Sequence, residues 1–401
     1  LAQWMETRRT GNLAFFLHDK FSLRSTVFFL VLFLIIYLCW EYYWYQKVHF
    51  FFVKWHTHLM VYAYPFFGVW FLFRFFPKAN NIKNSILIII LSLALVEFLL
   101  LVAGINKTSE ETKYGYYVGT HYTSELNYYH VWEGSQITLE REDFSYTYPV
   151  NSLGFPDMEW KVQRDSSIKR IIAMGDSFTQ GDGAPFDSSY VNQLRKLYKD
   201  NGHRIEIYNA GTCGSDPFFN FVNLRDRLLL YKPNVVIQTI SENDIFNDIP
   251  VRGGMERFSS DKKIIFKDSP KNELLYAVSY LSRYFFKPEV YHKEGINKEI
   301  DPLLINLFDQ YSILCKENNI DLLLVILPDR SNVERNEMDY DFSTLKNALD
   351  GRVQFCELLP FYIKTFIPDQ NGQNPYWVKD GHHNSKGYGV MARGIYECLE
   401  D

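Results

Sequence analysis

Cysteine is scarce in this chain, with five in 401 residues, at Cys39, Cys213, Cys315, Cys356 and Cys398, and no C-x-x-C pair among them. That spacing argues against a zinc site, and an odd count cannot be fully paired within one chain. Cys356 with Cys398 is the bridge considered for an oxidising compartment. Cys213, a lone thiol with no histidine close in sequence, reads as a small packed residue rather than a nucleophile. Metal, nucleotide and redox motifs are also missing, so no cofactor and no metal are expected. Positive charge is short over most of the chain: residues 107–401 hold 33 Lys/Arg against 43 Asp/Glu, net −10. An acidic surface without a basic stripe excludes nucleic acid as a partner.

The first 106 residues differ, with nine Lys/Arg and four Asp/Glu, net +5, and three apolar stretches at Ser25–Tyr45, Thr57–Phe76 and Asn84–Gly104. At ~1.5 Å of rise per residue each is about 30 Å long, the thickness of a bilayer's hydrocarbon core. The second is the weakest, because Pro65, Gly68 and Arg74 interrupt it; it is taken as a span, with a re-entrant segment as the alternative. Arg8, Arg9, Lys20 and Arg24 before the first stretch, and Arg74, Lys78 and Lys83 before the third, place those segments in the cytoplasm. With three spans the acidic remainder then emerges on the periplasmic or extracellular side of a bacterial inner membrane; if the second stretch does not span, that assignment reverses. Glu97 lies within the third stretch, where a carboxylate is costly and must be protonated, paired inside the bundle, or turned to a partner protein. Trp40, Tyr42, Tyr43, Trp44 and Tyr45 suit an interfacial belt. His49, His56 and His58 are read as interfacial packing rather than metal ligands.

Residues 107–166 are polar and aromatic. Alternation in Ile137-Thr138-Leu139 and in Phe144-Ser145-Tyr146-Thr147-Tyr148 predicts short strands. The aromatic groups of this segment, including Trp132, could stack on sugar rings, but packing against the following domain is the favoured reading. From residue 167 onward the pattern alternates strand and helix. The expected strands are Lys169–Met174, Arg204–Tyr208, Asn234–Ile240, Ile320–Leu327 and Arg352–Cys356; the expected helices are Ser188–Asp200, Phe218–Tyr231, Pro302–Asn318 and Val390–Leu399. Such alternation predicts a parallel sheet with helices on both faces and functional groups at the strands' carboxyl ends.

Those ends carry a consistent chemistry. The first strand runs into Gly175-Asp176-Ser177-Phe178-Thr179, with Gly181 and Gly183 following, and presents Ser177 as a nucleophile. The second ends at Asn209-Ala210-Gly211 and the third at Ser241-Glu242-Asn243-Asp244. The N–H of Gly211, the side chain of Asn243 and the N–H of Ser177 itself could surround a developing oxyanion. Near the C-terminus, Asp380-Gly381-His382-His383-Asn384-Ser385-Lys386-Gly387 sets an aspartate two residues before a histidine, a spacing at which a carboxylate can orient an imidazole base.

Together the four blocks resemble the SGNH/GDSL hydrolases over about residues 168–401. Asn151-Ser152-Leu153-Gly154-Phe155 also resembles an N-S-x-G-F element that precedes this domain in bacterial envelope members, although Pro156 stands where a basic residue is common. The resemblance implies a flavodoxin-like, three-layer α/β/α domain with a parallel sheet, here preceded by an N-terminal helical transmembrane region. It divides the chain into a membrane region (1–106), a connecting segment (107–166) and a hydrolase-like domain (167–401). It implies Ser177 as nucleophile, Ser177, Gly211 and Asn243 as oxyanion donors, Asp380 as orienting carboxylate and one of two adjacent histidines as base. His382 is preferred to His383, because His382, Asn384 and Gly387 fit the family's H-x-N-x-x-G continuation. Ser241-Glu242 departs from the family, in which a glycine two residues before the asparagine is typical. The long stretch Ile245–Glu299 is expected to form a loop or hairpin over the rim of the site.

The expected activity is that of an extracytoplasmic serine esterase removing an O-acetyl or other acyl group from an envelope or extracellular glycan. The alternatives are an O-acetyltransferase working with a membrane acyltransferase partner, and a non-catalytic glycan-binding or scaffolding subunit of a membrane complex. Expected partners are the acylated glycan, the lipid bilayer and a membrane-embedded protein touching the helices.

Overall fold

The computed structural model describes residues 51–53, 55–73, 77–104, 116–118, 122–123, 132, 134–242, 244–245, 252–258, 264–265, 275–276, 279–286, 299–365 and 374–400. They fall into two compact units, one drawn from Leu1–His121 and Pro270–Pro288, the other from Tyr122–Ser269 and Glu289–Asp401.

In the first unit, α1 (Trp55–Leu72) runs through Pro65 and packs against α2 (Asn80–Ala103). α2 is 24 residues long and ends on Gly104, whose φ of 68° lets its N–H reach back to the last carbonyls. An 18-residue window of it has a mean hydropathy of 3.1, and among the described residues it is the one helix long and apolar enough to cross a membrane. Of the three expected spans, the third is therefore a helix of suitable length and composition. The second is a helix that falls short of that standard, and Ser25–Tyr45 lies outside the described residues. Ile88, Ile89, Leu91, Leu95 and Leu99 of α2 are exposed. Glu97 is instead buried at 1% exposure and accepts hydrogen bonds from Ser279 Oγ (3.0 Å), Tyr62 Oη (3.3 Å) and the N–H groups of Tyr280 (2.5 Å) and Leu281 (3.1 Å). Its partners thus come partly from the stretch expected to roof the site. Residues 270–288 fall in the unit of α1 and α2, where Ser279, Tyr280 and Leu281 supply the donors that a buried carboxylate needs.

The second unit is built on five parallel strands: β3 (Lys169–Met174), β4 (Ile205–Asn209), β5 (Val235–Ile240), β6 (Asp321–Ile326) and β7 (Gln354–Glu357). Two earlier strands, β1 (Gln136–Glu140) and β2 (Ser145–Pro149), form a separate antiparallel hairpin. The sheet order is β7-β6-β5-β3-β4, so the first strand of the sheet sits between the second and the third, the doubly wound flavodoxin-like order. All four pairings are parallel, with Ile171 opposite Ile207 on one side and Val235 on the other.

Strand alternation sends successive side chains to opposite faces. Ile172, Met174, Val236 and Leu324 pack with α5 (Pro217–Asp226) and α6 (Pro302–Glu317). Ile171, Ala173, Ile237 and Val325 pack with α4 (Tyr190–Asp200) and α7 (Ser385–Glu400). The result is the expected three-layer α/β/α domain; strand limits lie within about two residues of those read from the sequence, but the expected helix Phe218–Tyr231 divides into α5 and a 3-10 turn at Leu228–Tyr231, and α7 begins at Ser385 rather than Val390. Asp216 and Asp301 cap α5 and α6 ahead of a first-turn proline. The N-S-x-G-F element docks on this domain: Asn151 Oδ1 accepts the N–H groups of Leu153 and Phe155, both at 3.0 Å, and Phe155 stacks on Trp160.

A disulfide joins Cys356 in β7 to Cys398 in α7, across 42 residues. Replacing both by serine is expected to lower the stability of this unit by about 2–4 kcal/mol, through loss of loop closure in the unfolded chain. Urea unfolding with and without reductant measures it, and identical midpoints would show that the bridge contributes nothing.

Candidate active site

β3 delivers Ser177, the expected nucleophile. Gly175 closes the strand at a place where a Cβ would fall 1.9 Å from Thr239 Oγ1 and 2.3 Å from Thr179 Oγ1, so only glycine fits there. Asp176 caps the single helical turn α3 (Ser177–Gln180), its Oδ1 accepting the Phe178 N–H at 2.9 Å. Its other oxygen accepts from Ser241 Oγ at 3.0 Å. Burial pushes the Asp176 carboxyl above the usual range, opposed by these two hydrogen bonds and by the nearby His382. Ser241, at the position two before Asn243 where the resemblance leads one to expect glycine, therefore ties the tip of β5 to the cap of the Ser177 turn.

His382 Nε2 lies 2.8 Å from Ser177 Oγ, and His382 Nδ1 is hydrogen-bonded to Asp380 Oδ1. A carboxylate only accepts, so Nδ1 carries the proton and Nε2 is left to accept the serine hydroxyl. The second Asp380 oxygen faces Arg141 Nε at 3.8 Å. His383 has a different place. It is fully buried among the rings of Tyr362, Tyr376 and Tyr388, at 5.1, 4.6 and 5.2 Å between centroids. Burial, aided by the neighbouring His382, pushes its pKa well below the usual histidine value, so it packs as a neutral ring. Of the two histidines, the one adjacent to Ser177 is His382.

Gly211 sits just beyond β4, pressed against the nucleophile turn: a Cβ would approach Gln180 N to 2.2 Å and Thr179 C to 2.4 Å. Its N–H donates to Asn209 Oδ1 at 2.9 Å, so a bond to an oxyanion would have to share or replace that one. Asn243 lies outside the described residues. Its neighbour Glu242 converges with Asp329 and Asp339, their carboxylate oxygens all within 4.8 Å of one another. Burial first, then the two aspartates, push Glu242 up to about 8, and Arg335 Nη2 pairs Asp339 Oδ1 at 2.6 Å. With Glu242 held protonated and Arg335 beside Asp339, these groups carry one net negative charge rather than three.

Several residues of the site carry no sequence signal. Gln180 is buried and takes the Trp132 Nε1–H and the Cys213 N–H on Oε1, both at 2.9 Å, while its Nε2 donates to Asp182 Oδ1 at 2.7 Å. Trp132 thus packs beside the nucleophile turn, in line with packing rather than sugar stacking. Asp157 Oδ2 accepts the Asn209 N–H at 2.9 Å and fixes the end of β4. Burial raises the Cys213 thiol to about 12, which keeps it protonated and unreactive.

No family model matches the chain, and no curated protein matches it either. Solved structures are similar to it. One is TesA, at 14% identity, covering 58% of this chain and 98% of that one with a TM-score of 0.38. Another is a putative lipolytic protein of G-D-S-L family from Desulfitobacterium hafniense DCB-2, at 15% identity, 58% and 99% coverage, and TM-score 0.36. A third is the acetyl xylan esterase AlAXEase, at 16% identity, 57% and 99% coverage, and TM-score 0.36.

Asp182 gives a direct electrostatic test. Burial raises its carboxyl from 3.8 to about 6, and its Oδ2 has no hydrogen-bond partner among the described residues. The folded chain then holds a proton that the unfolded chain releases above 3.8, so stability falls as pH rises from about 4 to about 6. Asp182→Asn keeps the acceptor for Gln180 and removes the buried charge. It should match the parent near pH 4 and exceed it near pH 7 by at most about 3 kcal/mol in denaturant unfolding; a gap that does not change with pH would contradict this account. At its carboxyl edge the doubly wound sheet thus carries the blocks on which the resemblance to SGNH/GDSL hydrolases rests.

Proposed function

We propose that the chain is a membrane-anchored serine esterase of the SGNH/GDSL type, acting outside the cytoplasm on an acyl ester, of which an O-acetyl group on an envelope or extracellular glycan is the favoured case. The observation that carries this reading is the unbroken hydrogen-bonded series Ser177 Oγ, His382 Nε2, His382 Nδ1, Asp380 Oδ1. Ser177 Oγ attacks the ester carbonyl and its proton passes to Nε2 of His382. Asp380 holds the ring in that tautomer and stabilises the imidazolium. The N–H groups of Ser177 and Gly211 would receive the developing oxyanion, that of Gly211 exchanging its bond to Asn209 Oδ1, and the family resemblance assigns the third donor to Asn243. His382 then returns its proton to the departing sugar oxygen, leaving Ser177 acylated. A water, deprotonated by His382 as it attacks, releases the acid and regenerates the serine.

Two features support the location. The apolar helix α2 has the length and composition of a membrane span. The Cys356–Cys398 bridge suits an oxidising compartment. The basic residues before the first and third expected spans favour the cytoplasm for those flanks. With all three spans in place, the sheet unit would face away from the cytoplasm.

Ser177→Ala in the full chain is expected to lower turnover of a chromogenic aryl acetate by at least about a thousandfold. Equal rates in the parent and the variant would overturn the esterase reading and leave a non-catalytic role. Stimulation of a Ser177-dependent rate by an added glycan acceptor, with the acyl group recovered on the glycan, would mark transfer rather than hydrolysis.

A further inference from the structure

The hairpin of β1 and β2 is built into the site. Its buried residues Leu139, Phe144 and Tyr148 pack with Trp132, Phe186 and Trp377. The tip residues Arg141, Glu142 and Asp143 are held by the Arg141 N–H, which donates to Phe144 O at 2.9 Å. From this tip Asp143 Oδ2 accepts two backbone N–H groups, of Lys379 at 2.8 Å and of Asp380 at 2.9 Å. Arg141 faces the second oxygen of the Asp380 carboxylate, and Glu142 Oε2 pairs Lys379 Nζ at 3.0 Å. At its other end the hairpin is tied to the nucleophile turn: the Tyr148 hydroxyl is shared between Ala184 O at 2.8 Å and Gly181 O at 3.1 Å. One small element therefore grips both loops whose side chains must meet.

We propose that this hairpin tip sets the position of the catalytic carboxylate, with Asp143 as a positioning residue for Asp380; the proposal rests on the esterase reading above. Asp143 never reaches the reacting atoms. By fixing two consecutive amides where the Asp-x-His turn begins, it fixes where the Asp380 side chain starts and hence the ring plane of His382. An error of about 1 Å in such a placement costs up to about a hundredfold in rate. Substrate binding does not depend on that placement, so the loss belongs in kcat.

The test uses the full chain in detergent with an aryl acetate, and a fluorophosphonate that reports the reactivity of Ser177 without substrate recognition. Asp143→Ala should lower kcat by about 10- to 100-fold with KM changed by less than about threefold, and labelling should slow in parallel. Asp143→Asn should recover both, because its amide oxygen can accept the same two N–H groups. Parent-like kcat and labelling in Asp143→Ala, a loss confined to KM, or failure of asparagine to rescue would each overturn the proposal. Should the alanine variant fail to fold, Asp143→Glu moves the acceptor outward on a longer arm, and a parent-like kcat there would overturn the proposal equally. Turnover that survives Ser177→Ala would sink the esterase reading and this proposal with it. Ser177-dependent turnover indifferent to Asp143 would sink this proposal alone.

Discussion

The hydrogen bond between Ser177 Oγ and His382 Nε2 joins side chains 205 residues apart, and the arrangement of the second unit makes sense around it. A hydroxyl and an imidazole held at 2.8 Å must be carried by backbone that cannot drift. The central strand β3 brings one partner, and the turn ahead of α7 brings the other. These two turns are then bolted together: Trp377 Nε1 donates to Gly183 O at 2.6 Å, and the Tyr388 hydroxyl to Asp182 O at 2.6 Å. Trp377 N also donates to His382 O at 2.8 Å, closing the base turn on itself. Sheet order places β5, and with it Ser241, alongside β3, where the crevice of a doubly wound sheet opens.

Negative charge is concentrated around that bond. Asp176, Asp182 and Asp380 all lie near His382, and the first two are buried. In the proposed mechanism such a setting would favour an imidazolium as the serine proton arrives, while the cost of burying the carboxylates falls on the folded state. The chain limits this cost with hydrogen bonds. Ser241 and the Phe178 amide serve Asp176, and Gln180 serves Asp182. A second acidic group, at Glu242, Asp329 and Asp339, is relieved by protonation of Glu242 and by Arg335. Destabilising charge beside a reacting pair is what a preorganised site is expected to carry.

Much of this was legible in the sequence, for local reasons. β3 reads from Lys169 to Met174 because its run of apolar residues is buried on both faces and ends at Gly175. The triad residues can be nominated because each sits in a short block with a recognisable turn. His382 is separated from His383 in the sequence only by the spacing to Asn384 and Gly387; the buried ring of tyrosines around His383 is a tertiary feature that no local pattern encodes. The same holds for Asp143, Asp157 and Ser241. Each acts on backbone or carboxylate groups distant in sequence, and one aspartate in an acidic turn looks like any other. Nor does any local pattern tie Ser279, Tyr280 and Leu281 to Glu97, whose carboxylate accepts from all three across more than 180 residues.

The central claim is that Ser177 becomes acylated by way of His382. Peptide mass spectrometry after acid quenching of a reaction with excess aryl acetate locates the acyl group directly. The account predicts a mass increase of one acetyl group on the peptide bearing Ser177, and none there in the His382→Ala chain. An acetyl group found on another residue, or on Ser177 to the same extent without His382, would contradict it.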